Sequence, residues 1–150
     1  MNQRQLPPVK DLKLKLTDIA WLAGLLEGEG NFGLDKRSSK RYTNSSSPPA
    51  PYIQLSMIDE DVIQKVSKFV QKNYKPLNRK TTTNQTVFKV SIGDRETLRY
   101  LLPLIFPYLG SRRKKQVQEC LDALKDWEIW YLNDGRGRMA KFGPQAKKKK

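Results

Sequence analysis

Apolar and polar positions repeat with two different periods along this chain, and each change of period marks a new element. From Ile19 to Gly28 the apolar residues recur at helical spacing, behind Thr17 or Asp18 as the expected N-cap. Gly28 and Gly30 end that helix, and Phe32 and Leu34 then alternate with polar neighbours as a strand does. Residues 38–51 hold too many Ser and Pro for regular structure. The run from Tyr52 to Ile58 alternates cleanly, with Ile53, Leu55 and Met57 on one side and Tyr52, Gln54 and Ser56 on the other. Asp59, Glu60 and Asp61 open a second helix whose apolar side is Val62, Ile63, Val66, Phe69 and Val70. A hairpin is expected over 74–83 and 86–92, turning at Thr83 to Gln85, with Phe88, Val90 and Ile92 inward and Lys89 and Ser91 outward. Asp94 should cap a short helix that Pro103 stops near Leu102. Ser111 should cap a long last helix, with Val117, Leu121, Leu124 and either Trp127 or Trp130 on one side.

Helix, two strands, helix, two strands and closing helices make an α+β domain: one antiparallel sheet with its helices on a single face. The other face carries Gln, Ser, Thr, Lys and Arg and is left free for a ligand; strand order does not follow from the pattern. Residues 1–13 read as a loose N-terminal arm, 14–132 as the domain, and 133–150 as a basic, disordered tail.

Charge narrows the partner. The 150 residues carry 29 Lys and Arg against 15 Asp and Glu, a net charge of +14. Lys147 to Lys150 supply four of these, so +10 belongs to the rest of the chain. Such an excess favours a polyanion, nucleic acid above all. A membrane surface fits poorly, because the sequence has no amphipathic basic helix, lipidation signal, signal peptide or transmembrane run. The expected setting is therefore intracellular: cytoplasm, nucleoid or an organelle matrix. The single cysteine, Cys120, makes no internal disulfide and suits a reducing compartment. Histidine is absent, which removes the commonest zinc ligand and general base, so any metal site must use oxygen ligands and favours Mg²⁺. Lys36, Arg37, Lys40, Arg41 and Tyr42 make the start of the loop basic and aromatic, as in a loop that settles on phosphates. Lys75, Arg79 and Lys80 add cations on the third strand, and Arg112, Arg113, Lys114 and Lys115 crowd the start of the last helix.

One stretch combines close packing with acids. Trp21 to Gly33 reads W-L-A-G-L-L-E-G-E-G-N-F-G, an apolar helix running into two carboxylates and four glycines. Ala20, Gly24 and Gly28 stand at i, i+4 and i+8, a stripe of small residues that lets a second helix approach backbone to backbone. Acids at a helix C-terminus are disfavoured by the dipole and need a compensating partner, for which a cation would serve. On a helix, positions two apart lie about 200° from each other, so Glu27 and Glu29 are not expected to meet one ion.

The nonapeptide Leu22–Gly30, L-A-G-L-L-E-G-E-G, resembles the motif that names the LAGLIDADG homing endonucleases, with glutamates for both aspartates and Leu26 at the isoleucine position. Trp21 and Phe32 extend the match, and the element order is similar to the family's αββαββα fold, with its saddle-shaped sheet, over roughly residues 12 to 132. In that family, single-motif chains form homodimers and double-motif chains are pseudo-symmetric monomers. The single motif here implies a homodimer packed through Ala20, Ala23, Gly24, Glu27 and Gly28. The resemblance implies metal-dependent hydrolysis of phosphodiester bonds in a long, pseudo-palindromic duplex, with Mg²⁺ (or another divalent cation such as Mn²⁺) held by Glu29 and the Gly28 carbonyl. Glu27 is assigned a structural or interface role. Gln54 matches a glutamine that positions water or metal in several members; reading adenine from the DNA face is an equal alternative. A lysine near the start of the last helix often orders solvent, for which Arg113 and Lys114 are the candidates; a row of phosphate-binding cations is the other reading. Ile58 departs from relatives that carry a basic residue there. Expected DNA contacts are Lys36, Arg37, Lys40, Arg41, Tyr42, Tyr52, Gln54, Ser56, Lys75, Arg79, Lys80, Lys89, Arg112, Arg113 and Lys115. The competing functions are an intron RNA-binding maturase on the same fold and a sequence-specific DNA-binding protein without catalysis.

Overall fold

The computed structural model describes residues 5–36 and 48–135. Helix α1 (Leu16–Glu29) leads into β1 (Gly30–Asp35) and, after the loop, β2 (Ala50–Met57). Helix α2 (Glu60–Val70) follows, then β3 (Tyr74–Lys80), β4 (Thr86–Ile92), α3 (Arg95–Ile105), a short 3₁₀ turn (Phe106–Tyr108) and α4 (Ser111–Trp130). A turn of π-helix (Tyr131–Gly135) carries the last helix past the domain boundary expected at 132. The strands form one antiparallel sheet in the order β1-β2-β4-β3. Each hairpin contributes one central and one edge strand, and the two hairpins join through β2 and β4, where Leu55 faces Val90. The α+β class with helices on one face is as expected.

The alternation read in the strands sorts residues between the faces. Phe32, Ile53, Leu55, Val90 and Ile92 are buried beneath the helices, together with Leu22 and Leu26 of α1, Ile63 and Val66 of α2, Leu98 and Leu102 of α3, and Val117 and Leu124 of α4. Trp127, rather than Trp130, is the buried tryptophan of α4. Cys120 is buried against β1, its thiol donating to the Gly33 carbonyl at 3.6 Å. Pro76 is tolerated because β3 is an edge strand, irregular in its pairing between Pro76 and Lys80.

Several boundaries differ from the sequence reading. The lead-in is no loose arm between residues 5 and 13: Leu12 is buried, the Lys10 amide donates to the Glu96 carbonyl (3.1 Å), and Arg99 Nη1 donates to the Pro7 carbonyl (2.7 Å). Helix α1 begins earlier than Thr17 or Asp18 could cap it; Lys15 is the N-cap, and Asp18 Oδ2 accepts from the Lys15 amide at 3.1 Å. Helix α3 does not stop before Pro103 but continues through it to Ile105, with the proline on the exposed side in the last turn. Asp94 does cap α3, accepting from the Thr97 amide at 3.1 Å. Ser111 lies inside α4, whose N-cap is Gly110.

Candidate nucleic-acid interface and catalytic centre

The face of the sheet opposite the helices is open and polar, and its residues fall in rows across the strands. Asn31, Gln54 and Ser91 are direct partners in one row, and Ser56, Lys89 and Lys75 in another. Two lysines directly opposite each other repel, an arrangement that a polyanion would relieve. Gly33 faces Tyr52, whose ring lies over it; a Cβ on Gly33 would come within 2.6 Å of Tyr52 Cζ. Glycine at this point lets the ring lie flat on the polar face. Bordering this row, at the end of the sheet away from α1, a hollow of about 680 Å³ opens between Asp35, Lys36, Tyr52, Gln54 and Ser91.

The motif helix runs directly into this sheet, Glu29 being followed at once by β1. Leu22, Ala23 and Leu26 bury one side of α1, while Ala20, Gly24 and Gly28 are exposed on the other, and a Cβ at Gly24 or Gly28 would meet nothing within 4 Å. The stripe is therefore an open face of the single chain. Leu16 extends it, 70% exposed at the helix start. Ala23 is a correction: it is fully buried in its own core and cannot belong to a dimer surface. Glu29 is exposed at the last position of the helix, two residues before Asn31, the cross-strand partner of Gln54.

Glu27 turns away from both the stripe and Glu29. Its Oε1 accepts from the Gly110 amide at 2.7 Å, and its carbonyl accepts from Arg113 Nε at 3.0 Å. The carboxylate so placed at the N-terminus of α4 supplies the negative charge that the helix's own first turn lacks. Within the chain, Glu27 thus ties the end of α1 to the start of α4.

Arg113 is a second correction. It is buried, donating from Nε to Glu27 and from Nη1 to Gln116 Oε1 (3.0 Å), with its guanidinium 5.8 Å from the Phe32 ring centre. A side chain enclosed this way does not reach a phosphate. Its neighbours differ. Arg112 and Lys115 are exposed, and Lys114 is half-buried with Nζ 5.5 Å from the Phe106 ring. Arg112 and Lys114 stand in the first turn of α4 and Lys115 just after it, at the end of the helix where the dipole disfavours positive charge.

Of the remaining candidates, Lys75 and Lys80 are exposed and Lys89 half-buried; Arg79 is carried by β3. Lys36 is exposed at the end of β1. Arg37, Lys40, Arg41 and Tyr42 lie outside the described residues. Ile58 is 41% exposed directly after β2. Sequence reading missed Asn31 as a site residue, although the alternation Asn31-Phe32-Gly33 with Phe32 inward already turns it outward beside Glu29.

For a metal ion, the chemistry available at the end of α1 is oxygen only: the exposed Glu29 carboxylate and the exposed backbone at Gly28. Among the described residues no three Asp, Glu, Cys or His side chains gather. A cage supplied wholly by one chain is thus missing there, whereas Mg²⁺, which takes one or two carboxylates and completes its shell with water and phosphate oxygens, fits the donor set. Among the described residues no helix is long and apolar enough to cross a membrane.

No protein-family profile matches this sequence, and no curated protein does. Solved structures do. The homing endonuclease I-CvuI in complex with its target in the presence of calcium aligns with a TM-score of 0.53 and 16% identity, over 75% of this chain and 69% of that one. The archaeal intron-encoded homing endonuclease I-Vdi141I complexed with DNA aligns at TM-score 0.58 and 11% identity, over 89% and 84%. The LAGLIDADG homing endonuclease I-GzeII with its DNA target aligns at 0.54 and 16%, over 93% of this chain but 46% of that one, so this chain spans about half its length. The resemblance carried by Leu22–Gly30 is matched by architecture: the chain has the fold of the LAGLIDADG homing endonucleases.

Proposed function

We propose that this chain belongs to the LAGLIDADG endonucleases and is a homodimeric, site-specific DNA endonuclease that hydrolyses phosphodiester bonds with a divalent cation, Mg²⁺ by preference. One observation carries the reading. An exposed carboxylate, Glu29, ends the motif helix two residues before Asn31 on the open polar sheet, and the start of α4, tied to the same helix end through Arg113, carries the cations Arg112, Lys114 and Lys115. A protein that only bound DNA would gain nothing from an anion next to the phosphates.

In this reading the sheet enters the major groove, where the rows of Asn31, Gln54 and Ser91 and of Ser56, Lys89 and Lys75 reach base edges and phosphates. Two chains join through Ala20, Gly24 and Gly28, which sets two Glu29 carboxylates over a roughly two-fold-symmetric target. Glu29, with the Gly28 carbonyl, would hold the cation, which when bound neutralises charge on the scissile phosphate and lowers the pKa of a bound water. The chain's own groups orient the rest. The Gln54 amide donates to and accepts from a water beside the phosphate, or reads an adenine. Arg112, Lys114 and Lys115 hold the flanking phosphates. Hydrolysis forms a bond from the water oxygen to phosphorus and breaks the bond to one sugar oxygen, which leaves with a proton.

The test is selection from a randomised duplex library for cleavage in Mg²⁺, followed by Glu29→Gln on the selected duplex. The variant is expected to cut at least 100-fold more slowly, in the range seen when a metal-holding group is lost, while its DNA affinity stays within about 3-fold. Substantial residual cutting removes Glu29 from the role. No cut duplex from the wild-type protein, together with tight binding of intron RNA, would replace the endonuclease with the maturase.

A further inference from the structure

We infer that Arg113 is a positioning residue for the catalytic end of α1, acting through the Glu27 backbone and not through contact with DNA; this rests on the endonuclease reading above. The last carbonyls of a helix have no donor of their own. In α1 the Leu26 carbonyl takes the Gly30 amide, which closes the helix. The residue that would have served the Glu27 carbonyl is Asn31, and it has left for β1. Arg113 Nε fills that vacancy at 3.0 Å.

The bond joins two conflicting ends. The C-terminus of α1 carries the negative end of its dipole and two glutamates; the N-terminus of α4 carries the positive end of its dipole and four cations. Arg113 places one of those cations on the α1 terminus, and Glu27 Oε1 places one of those anions on the Gly110 amide. The exchange is reciprocal and pins the two ends against each other on both sides of Glu27. Gln116, one turn along α4, holds Arg113 Nη1 at 3.0 Å and sets the direction of the guanidinium. Gly28 and Glu29 are the next two residues of the chain. Among the described residues no side chain anchors the Gly28 carbonyl or the Glu29 carboxylate in the same way, so their placement depends on the anchored carbonyl before them. A cation in the first turn of the last helix thus serves the chemistry without facing it, which leaves Lys114, Arg112 and Lys115 as the side chains that can meet phosphate or solvent.

Arg113→Met keeps the stem and removes both hydrogen bonds; Arg113→Lys restores one donor. On a duplex selected with the wild-type protein, Arg113→Met is expected to cut roughly 10-fold to 100-fold more slowly and to need more Mg²⁺ for half-maximal rate, with DNA affinity in Ca²⁺ unchanged, and Arg113→Lys to recover most of the rate. In the metal-free, DNA-free protein, the amide NMR signals of Gly28, Glu29 and Gly30 should move in Arg113→Met and return toward wild type in Arg113→Lys. Unmoved amides with an unchanged Mg²⁺ dependence would overturn the inference, leaving Arg113 a packing residue. Loss of DNA affinity with an unchanged cutting rate at saturation would overturn it the other way, making Arg113 a phosphate contact. If Arg113→Met does not fold, Gln116→Leu, which frees the guanidinium without removing it, carries the same two measurements with smaller expected shifts. A failure to obtain any cut duplex refutes the endonuclease reading alone, since the amide signals still decide whether Arg113 orients the end of α1.

Discussion

Glu27 and Glu29 stand two positions apart in one motif, yet their surroundings give them opposite tasks. The helical turn between them sends one carboxylate to the Gly110 amide and leaves the other exposed. Asp94 is a quieter case of the same principle. Burial alone would raise its pKa, but the bond to Lys72 (2.5 Å) and the Thr97 hydroxyl and amide outweigh it and hold the carboxyl below its ordinary value. A depressed pKa means that this stabilisation is complete above the ordinary value of 3.8 and is lost as pH falls through the folded-state value. Asp94→Ala should therefore cost about 1 kcal/mol in urea unfolding at pH 7, typical for an N-cap, and the gap to wild type should narrow in acid. A gap that widens in acid would contradict that sign. Cys120 behaves in the opposite sense: burial pushes its thiol up to about 11. Thiol reagents at pH 8 should label the native protein at the rate of its unfolding, and prompt labelling would show that the site is open.

At the scale of elements, α1 is the helix with two faces. Its bare face was legible from Ala20, Gly24 and Gly28, small residues at every fourth position, but its buried face was not, because Ala23 reads as part of the same small-residue surface and is instead enclosed in the core with Leu22 and Leu26. The monomer gains nothing from glycine at 24, where an added side chain meets open space. Gly24→Ala should stabilise the isolated helix by about 1 kcal/mol, whereas Gly24→Leu should yield folded monomers in sedimentation. A Gly24→Leu protein that remains dimeric would place the interface elsewhere. What escaped sequence reading at this scale were the helix ends. Local rules make Ser111 a better cap than Gly110 and make Pro103 a stop. Both were overruled by tertiary contacts: the Gly110 amide is taken by Glu27 from another helix, and packing of Leu102 and Ile105 into the core carries α3 past the proline. Arg113 was misread for the same reason. In sequence it is one of four adjacent cations, and only the approach of α1 distinguishes it from the other three.

For the whole molecule, most of the net charge of +14 comes from residues outside the described part of the chain, and within that part the sheet sets Lys75 and Lys89 directly opposite each other. If Lys75 and Lys89 each meet a phosphate, replacing either by Gln should weaken binding to all duplexes alike and reduce the slope of log K against log salt by about 0.9. A loss confined to one base position would instead make that lysine a base reader. The polar face could be listed from alternation alone, but its rows could not, since they depend on β2 lying beside β4.

That central seam has a consequence for how the protein is made. Each hairpin closes over a short span of chain, but Leu55 and Val90 come from different hairpins, with α2 and β3 between them. Closing that distance loses chain entropy before the contact returns anything. Docking of the two hairpins is thus the step expected to set the folding rate. Shortening Leu55 or Val90 should slow refolding, while shortening Trp127 at the far end of α4 should chiefly speed unfolding. The polar face exists only once the seam has formed, so nascent chains acquire its rows of side chains only when both hairpins have been made and docked.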